Sequence, residues 1–184
     1  MNCRYTHFTA RDLTLIALIA ALFTVCSWIS IPAGDVPITL QSFAIFVFCG
    51  LFDTKICLTA FCLYLLMGLM GLPVFSGMTG GIGRILGPTG GYLIGFIFAI
   101  LTIGLITRRF GRCPLVLMIS MILGMALCYL FGTLWFVIIY MGGSNAVSLG
   151  AALIKCIVPY LLPDGVKLAV ALLVIRRLAA IRSY

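Results

Sequence analysis

The chain has little that is charged. Only 9% of its 184 residues are Asp, Glu, Lys or Arg, against roughly 25% in soluble domains, while 64% are hydrophobic and the mean hydropathy is +1.28. That balance argues against a water-soluble fold, because too few polar residues remain to cover the outside of a single core. Lipid must be the solvent for most of the surface. Glutamate is absent, so Asp12, Asp35, Asp53 and Asp164 are the only acids, and His7 and Gln41 are the only histidine and glutamine. A metal site has little to be built from. None of the eight cysteines forms a C-x-x-C pair, and most lie in apolar runs, where they read as small hydrophobes. No G-x-x-x-x-G-K-[ST] loop occurs, so any ATP dependence has to come from partners. The first apolar stretch is too long for the h-region of a cleavable signal and lacks a small-residue cleavage site.

What is present is a series of long apolar runs. A hydrocarbon core of about 30 Å takes roughly 20 residues of helix, and runs bounded by charge, Gly or Pro predict six transmembrane helices over about 13–31, 40–52, 56–70, 92–107, 115–141 and 166–177. The expected fold is thus a single all-α integral membrane domain over 1–184, multi-pass in the cytoplasmic (inner) membrane. The formal net charge of +8 raises the question of nucleic acid. Here, however, the cations sit at the ends of apolar runs, which fits membrane orientation and not a DNA-binding face. With the N-terminus inside, Arg4, Arg11, Lys55, Arg108, Arg109, Arg112, Arg176, Arg177 and Arg182 fall in the cytoplasm, and Arg84, Lys155 and Lys167 outside. Both termini are therefore expected in the cytoplasm.

Two outside segments are too long for simple turns. Residues 72–91 read LPVFSGMTGGIGRILGPTGG. Glycine at this density frees backbone groups for close approach, and the interspersed Leu, Val, Phe and Ile are more than a solvated linker needs. The reading preferred is a Gly-rich extracytoplasmic cap loop over a cavity; the glycine spacing has no strand or helix context for a nucleotide site. Residues 142–163 form the second segment, and its middle, Ala146 to Val158, is apolar enough for an interfacial helix.

The residues able to carry chemistry are few. Asp164 and Lys167, in Pro163-Asp-Gly-Val-Lys-Leu at the expected start of the last span, share a helical face at a spacing of three. Asp164 alone fits an N-terminal cap. Lys167 does not, because a cation in the first turn opposes the helix dipole, although its stem could carry the ammonium to the surface. Charges beside hydrocarbon usually face a partner or a wet cavity, and this pair would suit a small amphipathic molecule. Gln41 reads as a ligand contact or as an interhelical hydrogen bond. Arg84 reads as a solvated charge or as a carboxylate reader. Ala17 and Ala21 form a small-xxx-small face that permits close helix contact, within the chain or with another subunit. A membrane enzyme would need a nucleophile, base or metal cluster inside the bundle, and the spans hold almost nothing titratable beyond Asp164 and Lys167. An autonomous carrier or channel would show midplane acids or inverted repeats, and neither is visible.

The same residues carry a resemblance. Val-Pro-Ile-Thr-Leu-Gln at 36–41, Gly-Leu-Pro-Val-Phe-Ser-Gly at 71–77, Gly-Gly-Ile-Gly at 80–83, Leu-Gly-Pro-Thr-Gly-Gly-Tyr-Leu-Ile-Gly at 86–95 and Leu-Pro-Asp-Gly-Val-Lys at 162–167 resemble the BioY biotin-transporter family. Its members are substrate-binding (S) subunits of energy-coupling-factor (ECF) importers. The resemblance implies six helices that hold one biotin near the outer face, with no cofactor. It also implies association with a membrane coupling subunit and two cytoplasmic ATPases, which supply the ATP chemistry. By position, Asp164 and Lys167 look like the polar pair that bonds the ligand, and Thr79, Gly81 and Tyr92 fall where the family's loop lines the pocket. Ala17 and Ala21 look like the face shown to the coupling subunit. Some members have Asn where this chain has Thr79 and Arg where it has Leu93, which leaves Arg84 or backbone N–H groups to read the ligand's carboxylate. An autonomous secondary carrier, or a binding subunit for another small vitamin-like molecule, is the alternative.

Overall fold

The computed structural model describes residues 9–32, 36–141 and 149–182. Cys3, Arg4, His7, Asp35 and the segment 142–148 lie outside these, as do the side chains of Lys155, Cys156 and Arg182. The described chain is helical: α1 Ala10–Trp28, α2 Gln41–Leu51, α3 Thr54–Leu69, α4 Ile82–Leu86, α5 Gly90–Phe110, α6 Pro114–Met141 and α7 Leu149–Arg182. Between α1 and α2 lies a short antiparallel pair, β1 Ser30–Ile31 and β2 Ile38–Thr39, with Ser30 opposite Thr39.

Helix boundaries follow local chemistry where caps exist. Thr9 opens α1 with a capping box: its hydroxyl accepts from the Asp12 N–H, and the Asp12 carboxylate accepts from the Thr9 N–H at 3.0 Å. The first helix therefore runs 10–28 rather than 13–31, and residues 30 and 31 belong to β1. The last element differs more from expectation. Residues 142–163 were expected to separate the fifth and sixth spans, yet Pro159 and Pro163, which each remove a helical N–H donor, both lie inside α7. Neighbouring helices make such breaks tolerable in membrane helices, so Leu149 onward is continuous helix and Val158 belongs to it. The expected separate interfacial helix over 146–158 is not formed in its described part, 149–158.

Among the described residues, four helices are long and apolar enough to cross a bilayer: α1, α5, Pro114–Ile139 of α6 and Ile157–Ala179 of α7. The expected spans at 40–52 and 56–70 correspond to α2 and α3, of 11 and 16 residues, about 16 and 24 Å long at 1.5 Å per residue.

The helices close a ring in which α1 packs on α3, α3 on α5, α5 on α6, α6 on α7, and α7 on α2, which returns to α1. The α5–α6 contact is the most extensive, and a small-residue stripe at Gly91, Gly95 and Ala99 explains it. A Cβ at Gly95 would fall 3.0 Å from the Cα of Cys128 on α6, so any larger residue there would push the two backbones apart by a few tenths of an ångström. The core on the α1–α3 side is aromatic, with Phe23 edge-on to both Phe48 and Phe61 at 5.3 Å between ring centres. Outward faces carry large apolar side chains, among them Leu105 and Leu162, each more than three-quarters exposed. In water such a surface would be an aggregation hazard; against acyl chains it is matched.

The segment between α3 and α5 is pinned to the bundle. The two tryptophans of the chain donate to its carbonyls, Trp28 to Pro73 at 2.8 Å and Trp135 to Gly87 at 3.1 Å. The Gly81 N–H donates to Gly68 of α3 at 2.7 Å, with Gly81 at φ 92°, a conformation other residues rarely adopt.

Candidate functional site

The N-terminal end of α2, the N-terminal end of α5 and the middles of α6 and α7 meet beneath the α3–α5 segment and leave a cavity. The centre of a water molecule has about 70 Å³ there in which to move, several times the roughly 10–15 Å³ that a single water requires. The space is thus sized for something larger than one trapped water. Its walls are mostly apolar or aromatic, from Val36, Pro37, Phe75, Leu93, Phe96 and Met125 among others, with polar groups gathered at a few points.

The main polar point is on α7. Asp164 and Lys167 face the cavity together, with Nζ 2.7 Å from Oδ1 and side-chain exposures of only 10% and 13%. Asp164 is not a cap, since it stands well past the first turn of the helix that begins at Leu149. Burial without partners would cost both groups heavily, and each has several: Lys167 uses its three donors and Asp164 accepts three bonds. Asp164 Oδ1 also accepts from the Ser42 hydroxyl at 2.8 Å, and Oδ2 accepts from the Tyr129 hydroxyl at 2.5 Å. Lys167 donates further to the Thr39 carbonyl at 2.6 Å and to Ser42 Oγ at 3.2 Å. The Lys167 ammonium therefore does not run out to the surface. Nearby, the Tyr160 hydroxyl of α7 donates to the Val36 carbonyl, so two α7 side chains hold the β2 approach against the cavity.

Gln41 opens α2 and is 3% exposed on the cavity wall, and its Nε2 has no hydrogen-bond partner among the described residues. A buried donor left unpaired costs on the order of 1–3 kcal/mol. Among the described residues this buried amide nitrogen makes no interhelical hydrogen bond. Tyr92 lines the wall from α5, its ring 6.5 Å from that of Tyr160 and packed over Gly132.

Arg84, on α4, also lines the cavity, so it is not simply a solvated charge. Its Nε donates to Thr79 Oγ1 at 2.8 Å and its Nη2 to the Ser76 carbonyl at 3.1 Å. Thr79 in turn donates to Ser76 at 2.9 Å. Thr79 and Gly81 are not themselves on the wall: Thr79 braces Arg84, and the Gly81 N–H is taken by Gly68. Ala17 and Ala21 are exposed on α1, away from the site, and their face is not used for packing within the chain.

Ser42, Tyr129, Tyr160 and the Thr39 carbonyl were missed by reading the sequence. Ser42 follows Gln41 directly, and a polar pair opening an apolar helix was the available signal. For Tyr129 and Tyr160 no spacing pointed to the cavity, because tyrosine in an apolar run reads as core.

Comparison with known proteins bears on the family and the fold. The model of the BioY family matches residues 2–184. The biotin transporter BioY of Thermotoga maritima is 37% identical over 168 residues, 91% of this chain and 95% of that protein. That of Rhodobacter capsulatus is 35% identical over 181 residues, 94% and 95% of the two chains. Among solved structures, the 2.1 Å crystal structure of the S-component for biotin from an ECF-type ABC transporter superposes with a TM-score of 0.82 at 28% identity, covering 95% of each chain.

Proposed function

The chain belongs to the BioY family, and from that premise we propose that it captures biotin and serves its import as the substrate-specific subunit of an ECF-type transporter. Transport, not catalysis, is its role. The observation that carries this reading is the buried Asp164–Lys167 pair in an otherwise apolar cavity, with the unpaired Gln41 amide beside it. The ureido ring of biotin offers two N–H donors and one strong acceptor. A carboxylate suits the former, and an amide N–H such as the unpaired one of Gln41 the latter. The bicyclic and aliphatic parts match the aromatic and aliphatic wall. A site built to bond these groups rejects analogues without them, since its own polar atoms would be left unpaired.

In this reading α1, α2, α3, α5, α6 and α7 form six spans of the cytoplasmic membrane with both termini inside, and the α3–α5 segment is an extracytoplasmic cap. The short α2 and α3 are accommodated by local thinning of the bilayer. The exposed Ala17–Ala21 face of α1 meets the membrane coupling subunit, and two cytoplasmic ATPases supply the energy.

Titration of the detergent-purified protein with a panel of vitamins tests the ligand: biotin should bind, and riboflavin and thiamine should not. Preference for another vitamin would overturn the assignment. For the partner face, Ala17→Trp should retain biotin binding but fail to co-purify with the coupling subunit, because a bulky ring blocks close helix approach. Normal co-purification would assign the contact to another surface.

A further inference from the structure

We infer that Arg84, braced by Thr79, reads the carboxylate of the ligand and makes the site selective for a monoanion. This deepens the biotin reading of the same cavity and rests on it.

The argument is a count of charges and donors. Among the described residues lining the cavity, the groups charged at neutral pH are Asp164, Lys167 and Arg84. The first two form a pair and cancel, so the wall carries one net positive charge, located on Arg84. An ammonium has three N–H donors, and Lys167 uses them on Thr39, Ser42 and Asp164. A guanidinium has five. Arg84 uses one on Thr79 and one on Ser76, and the remaining three have no partner among the described residues. An acidic group entering the cavity therefore finds unused cationic donors on Arg84 and not on Lys167. The planar fork of Arg also fits a carboxylate in a way that a point charge does not.

Position supports the same division of labour. Asp164 and Lys167 stand on α7, whereas Arg84 stands on α4 in the segment that covers the cavity. A molecule with a polar ring at one end and an acid at the other could engage both. Leu93, buried on the wall at 7% exposure, offers the acid nothing. Thr79 is a positioning residue: its hydroxyl accepts from Arg84 Nε while donating to Ser76, which fixes the guanidinium plane.

The test compares biotin with its carboxamide, which is neutral but keeps the ureido ring and the chain. Isothermal titration of the purified protein should show the amide binding roughly ten- to a hundredfold more weakly than the acid, the range expected for charge-assisted hydrogen bonds. Arg84→Gln should bring the ratio of the two dissociation constants close to one by weakening the acid alone, and unchanged affinity for the amide shows that the variant is folded. Thr79→Val should lower the ratio partway, and Thr79→Ser should restore it. Should Arg84→Gln not purify, Arg84→Lys carries the test, with an intermediate ratio expected. A ratio that survives in the Arg84 variant examined overturns the inference and leaves the biotin reading standing. A wild-type protein that binds neither compound overturns the biotin reading and this inference with it.

Discussion

Among the described residues, two of the acid–base pairs lie at opposite ends of α2, and they differ in nearly everything but charge. Lys167 and Asp164 are 2.7 Å apart on one face of α7 and almost wholly covered. Arg112, in the α5–α6 turn, lies 3.6 Å from Asp53 in the α2–α3 turn, with side-chain exposures of 40% and 83%. Water can solvate the second pair whether or not it forms, so its net worth is about 0–1 kcal/mol. The first pair has no such fallback and is stabilised only by the hydroxyls and the carbonyl arranged around it. The same chemistry thus builds a recognition site where it is buried and a minor tether where it is wet.

The largest effect that could break this comparison is all-or-none. If the two ends face opposite sides of the membrane, an impermeant thiol reagent must sort them. In a background in which every other cysteine is replaced, Cys113, exposed beside Arg112, should react only after the cells are permeabilised. A cysteine at Gly83, where a side chain would meet open space, should react in intact cells once Cys113 is replaced too. The reverse pattern would put the cavity on the cytoplasmic side, and capture from outside could not proceed through these residues.

Within the buried pair the two partners should not be equivalent. Asp164 is the hub, accepting from Ser42, Tyr129 and Lys167. Removing it in Asp164→Ala strands three donors, one of them a buried cation, so we expect a loss of roughly 3–5 kcal/mol in stability together with abolished biotin binding. Lys167→Ala leaves Asp164 two hydroxyl donors, and we expect biotin affinity to fall by more than about tenfold with membrane insertion intact. Titration and thermal unfolding in detergent read both variants. If Lys167→Ala proved the more damaging, the hub assignment would be reversed.

The contrast between the pairs also marks where sequence reading succeeds. Helix positions were legible because apolar runs bounded by Gly, Pro and charge have few other solutions in lipid. Asp164, Lys167, Gln41 and Arg84 were legible because polar residues in so apolar a chain are conspicuous, and Tyr92 through the family resemblance alone; all five line the cavity. Residues whose role depends on tertiary approach were not. Ser42 and Tyr129 reach Asp164 across 122 and 35 positions of sequence, and Thr79 acts through Arg84 rather than on the cavity. The length of α7 was hidden for a related reason. Proline rules describe an isolated helix, while Pro159 and Pro163 sit in one that is packed along α2 and α6.

The smallest effect belongs to the wet pair. Asp53→Asn removes the charge opposite Arg112 but leaves the bonds Arg112 makes to backbone, from Nη2 to the Phe52 carbonyl at 2.8 Å and from Nη1 to the Gly50 carbonyl at 3.4 Å. Those carbonyls lie at the C-terminal end of α2, where backbone acceptors lack helical partners, so the larger part of the tether survives the substitution. The Coulombic part is worth a few tenths of a kcal/mol, which for a domain near this size is a shift of about 1–2 °C in unfolding temperature. It should vanish at 1 M salt, where the screening length falls to about 3 Å. Arg112→Ala, which also frees the two carbonyls, should cost more and keep most of its effect in salt. Biotin affinity should be unchanged in both, because neither residue lines the cavity. Unfolding followed at low and high salt separates the cases. A salt-independent loss in Asp53→Asn as large as that of Lys167→Ala would mean that exposure does not decide the worth of an ion pair in this protein.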